Sequence, residues 1–274
     1  MLDLVSHCHD YIEFSSGPRY AAKLAGRLGA SLTGLYVAPP MQSPTAWRSQ
    51  PALAAEYIAY EHEELERARR AGNDFVRWAT RGGAGAAHWQ LTVGDAGEAL
   101  VAIGNCSDVT VLEHRARAPD DSLANIGKTL LSGACCIVVP QDEANARPAW
   151  QRIAIAWNGS AGVIRAVHAA LPVLRLADEI LLFSLSSTHG SERSREREFS
   201  IERYLEHHDL KANWHTMDGS YPSFDQSVLV ESSKLAIDLL VMGAFGTTRF
   251  DPARPRGITP RVLQQSLLPV LLRH

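Results

Sequence analysis

The feature that most constrains the fold is an internal duplication. Asp108-Val109-Thr110-Val111-Leu112 matches Asp238-Leu239-Leu240-Val241-Met242 at an offset of 130, and Cys136-Ile137-Val138-Val139 matches Pro269-Val270-Leu271-Leu272 at an offset of 133. A period this long lies far above that of a solenoid and marks two copies of one domain. Nearer the start of each copy, Leu28-Gly29-Ala30-Ser31-Leu32 resembles Leu176-Ala177-Asp178-Glu179-Ile180 at an offset of 148, so the first copy carries about 18 extra residues, placed around Pro39 to Tyr60. Between Asp142 and Trp150 the apolar pattern gives way to Asp, Glu, Asn, Arg and Pro. That change puts the copies at residues 1–141 and 150–274.

Within each copy, short continuous apolar runs alternate with segments of helical period. In the second copy Ile153 to Trp157 reads as a strand ended by Asn158-Gly159-Ser160, a turn that also caps a helix. Ile164, Val167, His168, Leu171 and Leu174 recur at helical spacing, and Ile180 to Phe183 is the next strand. Ser194 to His207 is a polar amphipathic helix, Lys211 to Met217 a strand, Gln226 to Leu235 a helix and Asp238 to Met242 a strand. Thr259 as N-cap with Pro260 at the first position opens the last helix, and Val270 to Leu272 closes the sheet. The first copy follows suit: strands at Leu2–Ser6, Ser31–Val37, His88–Val93, Val109–Leu112 and Ile137–Val139. Its helices fall at Gly17–Leu28, Ala54–Thr80, Gly97–Ile103 and Asn125–Leu131. Continuous apolar strands separated by helices imply parallel pairing with both faces covered, hence an α/β protein of two tandem doubly wound domains. Ligands of such sheets sit outside the carboxyl ends of the strands, where Asn158 and Gly243 lie.

Composition narrows the function. The chain has 274 residues, 46% of them apolar, and a net charge of −3, with 13 basic and 17 acidic residues before Pro148 and 14 and 13 after it. Neither half has the charge of a nucleic-acid or anionic-membrane binder. No apolar run approaches the roughly 20 residues that span a bilayer, and no signal peptide is recognisable, so the expected location is the cytosol. Cys135 and Cys136 are adjacent in a strand, point to opposite faces and read as free buried thiols.

The segment after the strand at Asp238–Met242 points to a ligand. Gly243-Ala244-Phe245-Gly246 is followed by a loop rich in Arg and Pro and by Gly257-Ile258-Thr259-Pro260. Glycines at a strand end admit positive φ and close approach, and the first turn of the following helix leaves N–H groups for an anion, best a phosphate.

Two α/β copies, the turn Ala156-Trp157-Asn158-Gly159-Ser160 and the run Asp238 to Gly246 together resemble the universal stress protein family in its tandem form, closely over residues 151–274 and architecturally over 1–140. The resemblance implies the universal stress protein-like, adenine nucleotide alpha hydrolase-like fold and a regulatory or sensor module that is not an enzyme. It also implies ATP as a ligand held by a Gly-x-x-Gly, nine residues and a Gly-Ser/Thr. The site so implied comprises Ala156, Asn158, Met242, Gly243, Gly246, Arg256, Gly257, Ile258 and Thr259. Arg256 stands where the family has its third glycine and Asn158 where it has an aspartate. Arg256 either obstructs the phosphate nest or, with Arg249 and Arg254, supplies charge-assisted bonds to phosphate oxygens. Asn158 either pairs with an adenine or ribose edge or is only a turn residue and helix cap. The alternative to a nucleotide sensor is an interaction protein with no nucleotide, acting through dimerisation. The resemblance further implies edge-strand pairing, here satisfied inside one chain as a pseudo-dimer that can dimerise again.

In the first copy Glu113 aligns with Gly243, and a carboxylate there repels a triphosphate, leaving that half a structural or dimerising partner. Gly127-Lys128-Thr129 lacks the upstream glycine of a Walker loop. His7, Cys8 and His9 place two imidazoles on one face with no fourth ligand identifiable, so no metal is assigned. The charged face of the long helix, Glu61, Glu63, Glu64, Glu66, Arg67, Arg69 and Arg70, reads as a solvated surface with local pairing.

Overall fold

The computed structural model describes residues 1–40, 51–115, 122–141, 149–185, 200–219, 221–245 and 257–274. The first half runs β1 (Asp3–Cys8), α1 (Ser16–Leu28), β2 (Ser31–Ala38), α2 (Pro51–Arg81), β3 (Ala86–Val93), α3 (Ala96–Gly104), β4 (Val109–His114), α4 (Ser122–Leu131) and β5 (Cys136–Pro140). The second runs β6 (Arg152–Ala156), α5 (Ala161–Leu174), β7 (Glu179–Leu185), α6 (Ile201–Glu206), β8 (Ala212–Met217), α7 (Phe224–Lys234), β9 (Leu239–Gly243), α8 (Ile258–Gln265) and β10 (Val270–Arg273). All these strands join one sheet in the order β3-β2-β1-β4-β5-β10-β9-β6-β7-β8. Read outward from the middle, the two halves have the same order.

Every pairing is parallel except the central one, where β5 and β10 run antiparallel with Val138 opposite Val270, Ile137 opposite Leu271 and Cys136 opposite Leu272. Each half thus covers the exposed edge of the other, which removes two unpaired ladders of N–H and C=O groups. Because the join is antiparallel, the carboxyl ends of the two half-sheets point in opposite directions. The tandem doubly wound α/β architecture expected from the duplication is present.

The duplicated aspartates explain why the repeat is visible in the sequence. Asp108, just ahead of β4, accepts the Asp3 N–H at 2.8 Å, and Asp238, just ahead of β9, accepts the Gln151 and Arg152 N–H groups at 2.9 Å. In each half the same carboxylate fixes the start of the first strand against the fourth. Helix starts are fixed locally as well. The side chains of Asp95, Ser160 and Ser200 accept from the backbone of α3, α5 and α6, satisfying N–H groups that have no partner inside a helix.

Apolar residues line both faces of the sheet. One face buries Leu4, Leu24, Phe75, Ile137, Ile155 and Val167 under α1, α2 and α5; the other buries Val5, Leu100, Leu112, Ile126, Phe183 and Val262 under α3, α4, α7 and α8. Cys135 belongs to the first cluster and Cys136 to the second, both as free thiols, and burial pushes Cys135 up to about 12. Trp150, at the start of the second half, inserts against α1 of the first. Its indole N–H donates to the Tyr20 hydroxyl at 2.5 Å with the rings edge to face, and both side chains are almost wholly buried.

The departures from expectation are local. β1 continues to Cys8, past the expected end at Ser6, because His7 and Cys8 are also buried, one on each face of the sheet. The last helix is capped by Gly257, not by Thr259, whose hydroxyl is engaged elsewhere. The amphipathic segment expected from Ser194 is helical at Ile201–Glu206, and its earlier part lies outside the described residues, as do residues 142–148. The extra length of the first copy falls between β2 and β3, where α2 alone occupies 31 residues.

Replacing Tyr20→Phe leaves the buried Trp150 N–H unpaired and is expected to cost about 1–3 kcal/mol, and Trp150→Ala about 3–5 kcal/mol, in urea unfolding. His7 is buried, and burial first, then the charges of His9 and Arg115, lowers its pKa to about 3 from 6.5. Below pH 6.5 the unfolded chain therefore takes a proton that the native His7 refuses, and stability falls as pH drops from 6.5 toward 3. Between pH 7 and 4.5 the wild type should lose about 2 kcal/mol more than His7→Phe, as measured by unfolding curves at both values.

Candidate functional site

β6 is flanked by β7 on one side and β9 on the other, and the helices that follow β6 and β9 lie on opposite faces of the sheet. The carboxyl ends of β6 and β9 therefore bound a topological switch point, the place where a doubly wound sheet opens a crevice.

On the β6 side, Ala156 is buried as the last residue of the strand, and the Trp157 N–H still donates to Phe183 at 2.9 Å. Asn158 is exposed, and its side-chain oxygen accepts the Ser160 N–H at 3.0 Å, closing a turn through Gly159 at φ 69°. Ser160 in turn accepts the Val163 N–H and caps α5. The Asn158 oxygen is thus engaged locally, and what it retains for a ligand is a pair of amide donors.

On the β9 side, Met242 is 5% exposed and packs in the core beneath α7 and α8. Gly243 does not have a positive φ; its role is contact. A Cβ there would stand 2.6 Å from the Val163 nitrogen and 2.7 Å from the Gly162 carbonyl carbon, so only glycine lets β9 meet the first turn of α5. The left-handed residue of this segment is Phe245, at φ 54°, buried, with its N–H donating to the Thr259 hydroxyl at 2.9 Å. Gly257, at φ 105° and ψ −174°, then enters α8 as its N-cap and, among the described residues, supplies it no side-chain cap. Ile258 is 40% exposed and Thr259 is buried. Gly246 and Arg256, with Arg249 and Arg254, lie outside the described residues.

The Phe245–Thr259 bond, which the sequence did not mark, ties the end of β9 to the first turn of α8. Arg261 adds a second tie, donating at 2.9 Å to the buried carboxylate of Asp225 on α7. The amino end of α8 is therefore held in place beside the end of β9. Its signal in the sequence was the Gly257-Ile258-Thr259-Pro260 run, but a hydroxyl that bonds fourteen residues upstream cannot be told from an N-cap by spacing.

The first half builds its equivalent position differently. Gly17 in α1 meets Glu113 as Gly162 in α5 meets Gly243, with a Cβ on Gly17 falling 3.4 Å from that of Glu113. The Glu113 carboxylate is buried, accepts the Gly17 N–H at 3.2 Å and faces the Arg115 guanidinium at 4.0 Å. A negative charge on the amino end of a helix is favourable, and here the protein supplies it from its own side chain. Gly127-Lys128-Thr129 lies inside α4, with Lys128 near Asp95 at 3.8 Å, so it forms no phosphate loop. Away from these strand ends, a cleft of about 480 Å³ at the junction of the halves is lined by Lys23, Arg27, Gln151 and Asp178 among others, none of them a site residue expected from the sequence.

No protein-family model and no curated protein sequence matches the chain. Solved structures do. A universal stress protein from Archaeoglobus fulgidus aligns over 99% of this chain and 96% of its own, with a TM-score of 0.66 and 13% identity. A Pseudomonas aeruginosa protein assigned to the universal stress proteins aligns over 100% and 93%, at TM-score 0.58 and 14% identity, and a protein of unknown function from the same organism over 100% and 92%, at 0.57 and 13%. Along its whole length, this chain has the fold of a universal stress protein.

Proposed function

We propose that the protein is a regulatory module that binds an adenine nucleotide weakly in its second half and acts through binding, without catalysis. The observation that carries the reading is the amino end of α8. It is opened by Gly257 at φ 105°, has no side-chain cap among the described residues and is held beside the carboxyl end of β9 by the Phe245–Thr259 bond. Unpaired N–H groups at a helix start, next to a strand end, are a receptor for phosphate oxygens. The Asn158 turn on the neighbouring strand supports the same reading by presenting amide donors to the nucleoside end. Ligand bridging the two would favour one arrangement of α8 and its surface, which is how binding becomes a signal to a partner. Only the second half is assigned this role, because in the first Glu113 stands where β9 has Gly243 and places a carboxylate at that strand end. Among the described residues no helix is long and apolar enough to cross a membrane, and we place the activity in the cytosol.

Calorimetric titration with ATP tests the reading. One equivalent is expected to bind the full chain with a dissociation constant on the order of 0.1–1 mM, a free energy of about −4 to −5.5 kcal/mol. A β-branched side chain strains a backbone at φ 105°, so Gly257→Val should weaken binding at least tenfold while circular dichroism stays native. Arg256→Gly separates the two roles of that guanidinium: tighter binding means obstruction, weaker binding means a phosphate clamp. Wild-type silence at 5 mM ATP would overturn the nucleotide reading and leave an interaction protein.

A further inference from the structure

We propose that β3 is a docking edge that takes an extended, acidic segment of another protein as an added strand, seating alternate apolar side chains in the cleft between β3 and α2. β3 stands at one end of the sheet order, and among the described residues its one strand neighbour is β2. The N–H and C=O groups of alternate β3 residues therefore point outward with no ladder to join. The residues from Ala86 to Val93 pair with β2 one for one, without a bulge, and contain no Pro, Gly, Lys, Arg, Asp or Glu. Shortness, a charge, a proline and a bulge are the devices that guard an edge within the strand itself, and β3, at 8 residues, has none of them. At the opposite end of the sheet β8 is shorter, with 6 residues, and helices hold it from both faces: Trp214 donates to Glu202 of α6, and His215 meets Glu231 of α7 at 3.0 Å.

A cleft of about 460 Å³ lies between β3 and α2, lined by Arg69, Asn73, Val76, Ala87, Trp89 and Leu91 among others. The opposite flank of α2 carries Glu64 to Tyr11 and Trp78 to Phe14, so the cleft is on the outer flank, beyond the edge. α2 walls the strand along its whole length: its 31 residues extend about 46 Å against about 26 Å for β2 and β3, an overhang of about 20 Å. Gly72 brings helix and strand together, since a Cβ there would stand 2.6 Å from Trp89 Cδ1. The Trp89 indole N–H donates to the Ala68 carbonyl at 3.1 Å, and its ring lies 5.2 Å from that of Phe75. The wall is thus fixed before any ligand arrives, which lowers the ordering cost of binding. Ala87, Trp89 and Leu91 alternate toward α2, while His88 and Gln90 point the other way and are exposed. A strand added beside β3 must share that alternation, with apolar side chains toward Val76 and Leu91 and polar ones beside His88 and Gln90.

Charge selects the occupant. From Arg67 to Arg81, α2 carries Arg67, Arg69, Arg70, Arg77 and Arg81 against a single acidic residue, Asp74. Arg69 lines the cleft, and its pair with Glu66 is at the surface, where such pairs are worth little and a ligand carboxylate can take over. Arg70 and Arg81 are exposed and outside the pairs that Arg67, Arg69 and Arg77 make. An acidic strand is attracted to this edge. A second copy of the chain would lay an equally basic stretch of α2 beside the first and be repelled.

Fluorescence anisotropy of the full chain tests the proposal, with the labelled peptide Glu-Val-Asp-Val-Glu-Val-Asp-Val as probe. A dissociation constant on the order of 10–100 µM is expected, and replacing the acidic residues of the peptide by Lys should weaken binding by about tenfold or more. N-methylating one alternate set of peptide amides should abolish binding and N-methylating the other should leave it, because an added strand turns only one set toward β3. Arg69→Glu should weaken the acidic peptide by about tenfold and strengthen its Lys counterpart, with an unchanged melting curve because the side chain is exposed. No binding of the acidic peptide at about 0.5 mM overturns the proposal, as does equal binding of the two N-methylated forms. A dimer in sedimentation equilibrium that the peptide dissociates would put a second copy on the edge and overturns the partner named here.

Discussion

The rest of the structure depends on the antiparallel pairing of β5 with β10. A five-stranded, doubly wound half ends in an edge whose backbone groups demand partners. Here the two edges meet within one chain, so one continuous sheet carries both halves and each core is closed at the centre. Trp150, set under α1 and bonded to Tyr20, fixes the relation of the halves from the side-chain level. With the central edges used internally, any association between chains must look to other surfaces, and α2 is the element that reaches beyond the body of the first half.

The pairing also explains the division of labour between the halves. Its antiparallel sense sends the carboxyl ends of the strands in opposite directions, so the two crevices never share a ligand and are free to diverge. They differ where β4 and β9 end. Gly243 lets β9 contact the first turn of α5, whereas Glu113 brings its own carboxylate to the amino end of α1, the counterpart of α5.

Much of the fold was legible. Asp108 and Asp238 recur because both fix the start of a first strand, and apolar runs at their spacing announce parallel strands without any long-range information. The candidate site was legible only by residue type. Gly243 is present because the α5 backbone stands within 3 Å of where a side chain would begin, a contact between segments eighty residues apart that no local pattern encodes. Thr259 looked like a cap and is a clasp for Phe245. The long charged helix looked like a solvated face, and its local ion pairs fit that reading, but its overhang appears only when its length is set against the strands beneath it.

Hydrophobic period and chain order are enough to read off the class of fold, the two copies, the alternation of strand and helix and the free thiols of Cys135 and Cys136. Tertiary structure alone decided which edges meet, what fills the amino end of each helix and how far α2 projects. These are distances between segments remote in the chain, and they are set by packing, which a one-dimensional pattern does not contain.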